Sequence, residues 1–175
     1  ALGICRANQQ EQPAPAAALL KGLLIAAGLL TVITSVVLIE GSGDWRGEVD
    51  GSHLANAVLL CLGVGFAEEL IFRGWLWAEL NQMMGSRRGA VAQASIFSLV
   101  HTRFNLGLAA MSGLLVGLFL MGMVLAKQRQ SEQGSLWGCI GLHGGLVAGW
   151  FLLQSGLLQL SPNAPTWLVG PGGNA

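Results

Sequence analysis

The stretch Leu106–Ala126 reads LGLAAMSGLLVGLFLMGMVLA and contains no charged residue. A helix that crosses the hydrocarbon core of a bilayer needs about 20 apolar residues, at a rise of about 1.5 Å per residue. The 21 residues of this stretch meet that length. The sequence therefore predicts a transmembrane helix here, and the rest of the chain extends the pattern on both sides.

Four further apolar stretches flank the first. Gly89–His101 has only 13 residues, and we interpret it as a short or tilted span. The longer stretches are Leu19–Ile39, Leu54–Met84 and Leu136–Leu158. The predicted fold class is therefore an all-α, polytopic transmembrane bundle of about five membrane helices.

The composition agrees with a single membrane domain. Hydrophobic residues make up 53% of the chain and charged residues 10%, against about 25% charged residues in soluble domains. Nine basic and nine acidic residues give a net charge of zero, so lipid rather than nucleic acid is the expected partner. We place the domain at residues 19–160, between an N-terminal tail, 1–18, and an irregular C-terminal tail, 161–175.

The basic residues of the short loops predict the orientation in the membrane. Lys and Arg concentrate on the cytoplasmic side of membrane proteins. The segments outside the predicted helices lie alternately on the two sides of the membrane. Those on the side of the N-terminus hold six basic residues, Arg6, Lys21, Arg87, Arg88, Lys127 and Arg129. Those on the other side hold two, Arg46 and Arg103. We therefore expect an integral membrane protein whose N-terminus lies on the cytoplasmic side of an inner membrane, or on the equivalent side of a thylakoid-type membrane.

The segment FAEELIFR, Phe66–Arg73, places three ionisable residues inside an apolar stretch. A carboxylate at the bilayer centre costs about 2.5–3.5 kcal/mol on insertion scales, and residues of this kind mark functional sites. Arg73 follows Glu69 by four residues and can pair with it along one helix face. Glu68 lies about 100° around the helix without that partner, which makes it the candidate general base.

Two histidines complete the set of candidate residues. His101 follows Phe97 by one helical turn, and His143 lies inside the last apolar stretch. At about 1.5 Å of rise per residue, the depths of Glu68, His101 and His143 permit these side chains to meet near the middle of the membrane.

The order Glu-Glu-x-x-x-Arg, Phe-x-x-x-His and a histidine in the last helix resembles the CPBP family of CAAX-protease and bacteriocin-processing membrane proteins. The resemblance covers residues 54–150 and is greatest to cyanobacterial and plastid members. It implies a helical intramembrane endopeptidase that cleaves a peptide or a membrane protein. It implies that Glu68 activates a water with the help of His101, that Glu69 and Arg73 hold the site together, and that His143 stabilises the oxyanion.

The resemblance leaves the cofactor open. A divalent metal such as zinc, with Glu68, His101 and His143 as candidate ligands, is one option, and a site without a metal is the other. The sequence contains no His-Glu-x-x-His motif, the common zinc-protease signature.

One position departs from the family pattern. Where members commonly have Asn or Asp four residues after the last histidine, this chain has Val147, and losing one oxyanion donor costs about 100- to 1000-fold in rate. Either activity is reduced, another group such as Asn105 substitutes, or the protein is a non-catalytic subunit or assembly factor of a larger, for example photosynthetic, membrane complex. Small residues permit close contacts with a partner helix, as that alternative requires, and equally close contacts within the protein itself: Gly107, Gly113, Gly117, Gly122, Gly138, Gly141, Gly144, Gly145 and Gly149.

Overall fold

The computed structural model describes residues 13–165, and most of these residues are helical. The five helices are α1 (Pro15–Ile39), α2 (Gly51–Met84), α3 (Ser86–Val100), α4 (Leu108–Ser131) and α5 (Trp137–Leu157). The predicted helical fold class is confirmed. Residues 1–12 and 166–175 of the two predicted tails lie outside the described part.

Four of the helices are long and apolar enough to cross a membrane, namely α1, α2, α4 and α5. These candidate spans support an integral membrane protein. Helix α3 has 15 residues, which rise about 22 Å and fall short of a hydrocarbon core of about 30 Å. It is thus the short member that the sequence predicts at Gly89–His101.

Two short strands add to the helical bundle. Strand β1 (Gly43–Trp45), in the loop after α1, pairs antiparallel with β2 (Leu158–Leu160), directly after α5. The side chain of Arg46 donates a 2.9 Å hydrogen bond from Nε to Gln159 Oε1 beside them. The sheet satisfies backbone groups in the loop and joins the ends of α1 and α5.

The helix starts differ from the predicted boundaries by one to four residues, and the reason is visible for α1 and α2. Helix α1 begins at Pro15, inside the predicted tail 1–18, because the fixed φ of proline suits the first turn and its missing N–H leaves no bond unmade. Helix α2 begins at Gly51, three residues before Leu54. There the Asp50 side chain accepts a hydrogen bond from the His53 N–H, in a capping box, which stabilises the first turn.

Helix α2 departs from regular α-helical geometry on both sides of the acidic pair. Residues Cys61–Gly65 and Leu70–Leu76 form π-helical turns, and Phe66–Glu69 is a single α-helical turn between them. Such turns frequently occur at functional sites. Here they set the rotation and depth at which Glu68, Glu69 and Arg73 leave one continuous helix.

Helix α5 packs between α1 and the centre of α2 with its backbone in close contact. A Cβ atom added at Gly144 would lie 2.6 Å from the Cys61 carbonyl oxygen, and one at Gly65 would lie 2.6 Å from the Gly144 Cα. Added Cβ atoms at Gly141 and Gly145 would likewise meet α1. The glycines of α5 therefore pack within the chain, whereas Gly113 and Gly117 of α4 have open space beside them.

Candidate active site

A fully buried ion pair lies at the centre of the bundle. Arg73 Nη1 lies 2.9 Å from Glu69 Oε1, and both side chains are completely shielded from solvent. The pair joins the acidic residue of the α-helical turn to the π-helical turn that follows it in α2. The i, i+4 contact predicted from the sequence is therefore present.

The same carboxylate holds a histidine of α5. His143 Nδ1 lies 2.8 Å from Glu69 Oε1, and because a carboxylate only accepts, Nδ1 is the donor. The Nε2 atom of His143 is left to face Glu68, whose Oε2 lies 3.9 Å away. Glu69 thus fixes the orientation of the ring and a proton on its Nδ1.

His101, the residue directly after α3, approaches Glu68 from another side. Its Nδ1 lies 2.7 Å from the Phe97 carbonyl oxygen, an acceptor, so Nδ1 carries the proton here as well. Its Nε2 lies 3.7 Å from Glu68 Oε2. A backbone carbonyl therefore orients His101 as a carboxylate orients His143.

The aromatic ring of Phe97 forms the floor of the site. The ring is fully buried, and the guanidinium carbon of Arg73 lies 4.0 Å from its centroid, within range of a cation–π contact. Its centroid also lies 4.8 Å from that of His101 and 5.9 Å from that of His143. Phe97 thus excludes water from one side of three polar groups, which explains the aromatic residue one turn before His101.

Glu68 is the acidic residue that remains accessible. Its side chain is 26% exposed, against 0% for Glu69. Glu68 Oε2 has no hydrogen-bond partner in the described part of the chain, and both imidazole Nε2 atoms stand beyond the usual 2.7–3.2 Å of a direct bond. The three groups predicted to meet therefore do so, with neither imidazole in a direct hydrogen bond to Glu68 Oε2.

The candidate substitute for the missing oxyanion donor is not at the site. Asn105 is exposed in the turn that follows His101, and within residues 13–165 it makes no hydrogen bond to the catalytic candidates. Val147 is half-buried in α5, one helical turn after His143. The structure therefore places an apolar side chain where the family pattern has a polar one.

The donor set does not have the spacing of a tetrahedral zinc site. Two protein ligands of a tetrahedral zinc ion stand about 3.3 Å apart when each is about 2.0 Å from the metal, and the Nε2 atoms of His101 and His143 are 3.7 and 3.9 Å from Glu68 Oε2. No three His, Cys, Asp or Glu side chains between Pro13 and Pro165 are placed to hold a metal. We therefore derive no step through one.

The sequence profile of a known family matches residues 50–155, which is more than half of the chain. The family is described as type II CAAX prenyl endopeptidase, Rce1-like. The chain belongs to this family. No curated protein and no solved structure is significantly similar to it.

The Rce1-like match covers α2 to α5 and so contains every residue of the cluster around Glu68. The family resemblance read from the acidic pair and the two histidines is confirmed at this level. The match indicates no particular lineage, so the similarity to cyanobacterial and plastid members stays a prediction.

One residue behind this Rce1-like site escaped sequence reasoning. Arg129 counts as a loop cation in the positive-inside comparison, but α4 continues to Ser131 and buries it to 7% exposure. Its guanidinium carbon lies 4.9 Å from the Trp77 ring centroid, and its Nη1 donates to the Arg73 carbonyl. Hydropathy gives no signal for this burial, because it assigns the polar residues after Ala126 to a loop.

Proposed function

We propose that the protein is an intramembrane endopeptidase in which Glu68 activates a water that attacks a peptide bond. The observation that carries the proposal is the position of Glu68, which is partly exposed and faces two oriented imidazoles. His101 and His143 each present Nε2 to one carboxylate oxygen that has no partner of its own. Membership in an endopeptidase family supports the same reaction.

The charges of the site support a division of roles. Glu68, Glu69 and Arg73 together carry a net charge of −1, which one imidazolium neutralises. His143 suits the oxyanion role because Glu69 accepts from its Nδ1 and holds Nε2 toward the site, where a proton on Nε2 can donate to a developing oxyanion. The Nε2 atom of His101 faces the same Glu68 oxygen and is placed to accept a hydrogen bond from the attacking water.

The reaction then proceeds in two proton transfers. Glu68 takes a proton from the water as its oxygen bonds to the scissile carbonyl carbon, and the carbonyl oxygen becomes an oxyanion beside His143 Nε2–H. The protonated Glu68 next gives its proton to the leaving nitrogen as the C–N bond breaks. The products are one carboxylic acid and one amine, and Glu68 returns to its starting state.

The substrate is a peptide or a membrane protein that reaches Glu68 from the lipid or from the membrane surface. Prenylated CAAX tails, leader peptides and membrane proteins destined for turnover all have this form. We further propose that the N-terminus is cytoplasmic. The proposal rests on the loop cations. The 3.8 Å contact between Lys21 Nζ and Glu132 Oε1 brings the start of α1 close to the end of α4, where Lys127 also lies.

The experiment compares protein N-termini in cells that carry the wild-type chain or Glu68→Gln. New N-termini present only with the wild type identify substrates, and purified protein should then cleave peptides that span those sites. Glu79→Gln is the matched control, because Glu79 lies on the same helix but is exposed and outside the site. Identical N-termini in all three strains would overturn the proposal.

Val147 favours one alternative, a non-catalytic subunit or assembly factor of a larger membrane complex. In that role the Glu69–Arg73 pair is purely structural, and the open side of Gly113 and Gly117 meets a partner helix. Stoichiometric co-purification with a large complex, together with an unchanged phenotype in Glu68→Gln, would support it. Free monomer with a Glu68-dependent phenotype would exclude it.

A further inference from the structure

Arg129 is a buried cation that lies outside the site and contacts it through the backbone. Its Nη1 donates to the carbonyl oxygen of Arg73, 56 residues earlier. Its Nε donates to the Gly134 carbonyl at 3.2 Å, and its guanidinium carbon lies 4.9 Å from the Trp77 ring centroid. Several contacts thus hold one guanidinium against the turn of α2 that carries Arg73.

The Arg73 carbonyl needs an outside donor because of the π-helical turn. In a regular α-helix, this carbonyl would accept from the N–H of Trp77, four residues later. That N–H donates instead to the Phe72 carbonyl, five residues back. Arg129 therefore supplies a hydrogen bond that the wide turn removes, in a region where unpaired carbonyls are costly.

Helix α4 also supports the Arg73 side chain directly. A Cβ atom added at Gly122 would lie 3.5 Å from Arg73 Nη2 and 3.0 Å from the Ala94 Cα. Gln93 Nε2 donates to the Gly122 carbonyl at 3.1 Å and ties α3 to the same point. Thus α4 contributes none of the residues assigned to the reaction but forms the wall behind Arg73.

We propose that Arg129 is a positioning residue that acts through the Arg73 carbonyl to keep Glu69 and His143 aligned. The inference rests on the proposed peptidase function and extends it to α4. Loss of the Arg129 contact frees the π-helical turn, so that Arg73 moves relative to Glu69. Glu69 Oε1, which accepts from both Arg73 and His143, transmits that movement to the imidazole.

The test compares Arg129→Met, Arg129→Gln and Arg129→Lys with Lys127→Met. Lys127 lies on the same helix and carries the same charge, but is exposed. A misplacement of about 1 Å can cost about 100-fold in rate, so we expect Arg129→Met and Arg129→Gln to lower kcat about 10- to 100-fold with KM nearly constant. Arg129→Lys retains a charge and a donor and should recover part of the loss, whereas Lys127→Met should match the wild type.

A second readout does not depend on turnover. The chain has three histidines, so ¹⁵N-histidine spectra of the purified protein resolve the Nδ1–H of His143. We expect this signal to shift in Arg129→Met and Arg129→Gln and to stay in place in Lys127→Met. Arg129→Gln covers the case in which the Met variant does not fold.

The outcomes separate the two proposals. A wild-type protein without peptidase activity but with an Arg129-dependent His143 signal would overturn the proposed function and retain the positioning role. Variants that melt at a lower temperature but keep both kcat per folded molecule and the His143 signal would show a merely structural role. That result would overturn the inference.

Discussion

The imidazole Nδ1 of His143 lies 2.8 Å from the Oε1 atom of Glu69, across 74 residues of sequence. This contact joins α5 to the acidic turn of α2 and makes Glu69 an orienting residue. Glu68, its neighbour in sequence, has no hydrogen bond at Oε2 and is partly open. The adjacent carboxylates therefore differ in their surroundings, and the difference is testable.

The first prediction concerns the buried pair. Removing one member of a buried ion pair typically costs about 3–5 kcal/mol, because the other charge is left without its partner, while replacing both with apolar residues costs far less. We expect Arg73→Met and Glu69→Leu each to lower the melting temperature in detergent. The double variant should recover much of the loss. A double variant as unstable as the sum of the singles would show that the pair is uncoupled.

A second prediction separates the two acidic residues by one isosteric change. Glu68→Gln should abolish peptide cleavage yet leave the melting temperature within about 2 °C of the wild type, since the change keeps the shape of the side chain and Glu68 Oε2 has no hydrogen bond to lose. Glu69→Gln should lower stability, because it removes the charge that pairs with Arg73. Thermal melts followed by circular dichroism, beside a peptide-cleavage assay, measure both effects. Full activity in Glu68→Gln would refute the mechanism.

Close backbone contact between helices gives a third prediction. Gly144→Ala places a methyl group 2.6 Å from the Cys61 carbonyl oxygen, and overpacking of this kind costs about 1–3 kcal/mol. Gly63→Ala is the control, because nothing lies within 4 Å of its added Cβ and alanine favours a helix by about 1 kcal/mol. The Gly144 variant should melt earlier than the wild type and the Gly63 variant should not. Equal melting temperatures would mean that α5 and α2 pack less closely.

How well the sequence predicts a feature of this protein depends on whether the residues that determine it are close together in the chain. Hydropathy and the i, i+4 spacing of Glu69 and Arg73 are local, and both the helices and the ion pair agree with them. The contact from Glu69 to His143 depends on how α2 and α5 pack, so depth arguments permit it without specifying the atoms. The fold class could be predicted for this reason, while the orienting role of Glu69 toward His143 required the structure.

Two features have no clear sequence signal. The π-helical turns at Cys61–Gly65 and Leu70–Leu76 have i−5 instead of i−4 acceptors, and hydropathy does not distinguish the two. Arg129 follows Lys127 in a polar segment that hydropathy assigns to a loop. Its burial depends on contacts with the Trp77 ring and with the Arg73 carbonyl, both of which are distant in sequence.

The fourth prediction tests the departure from the family pattern. Val147 follows His143 by one turn on α5 and is half-buried, so an asparagine there can extend toward the same region as the imidazole. If the oxyanion has only His143 as a donor, Val147→Asn adds a second one, and such a donor is worth about 100- to 1000-fold in rate at an established site. We expect a smaller gain here, about 10-fold or more in kcat, because the residues around position 147 are not arranged to orient an amide.

Val147→Thr and Val147→Leu provide the comparison for this gain. Threonine keeps the shape of valine but has a hydroxyl in place of one methyl group. Leucine adds apolar volume without a hydrogen-bond donor. Cleavage of the peptides identified in the N-terminal comparison gives kcat for each variant. An increase in the Asn and Thr variants but not in Leu would indicate a missing donor. An increase in Leu as well, or in none of the three, would show that Val147 does not limit the reaction and that the oxyanion is stabilised without this position.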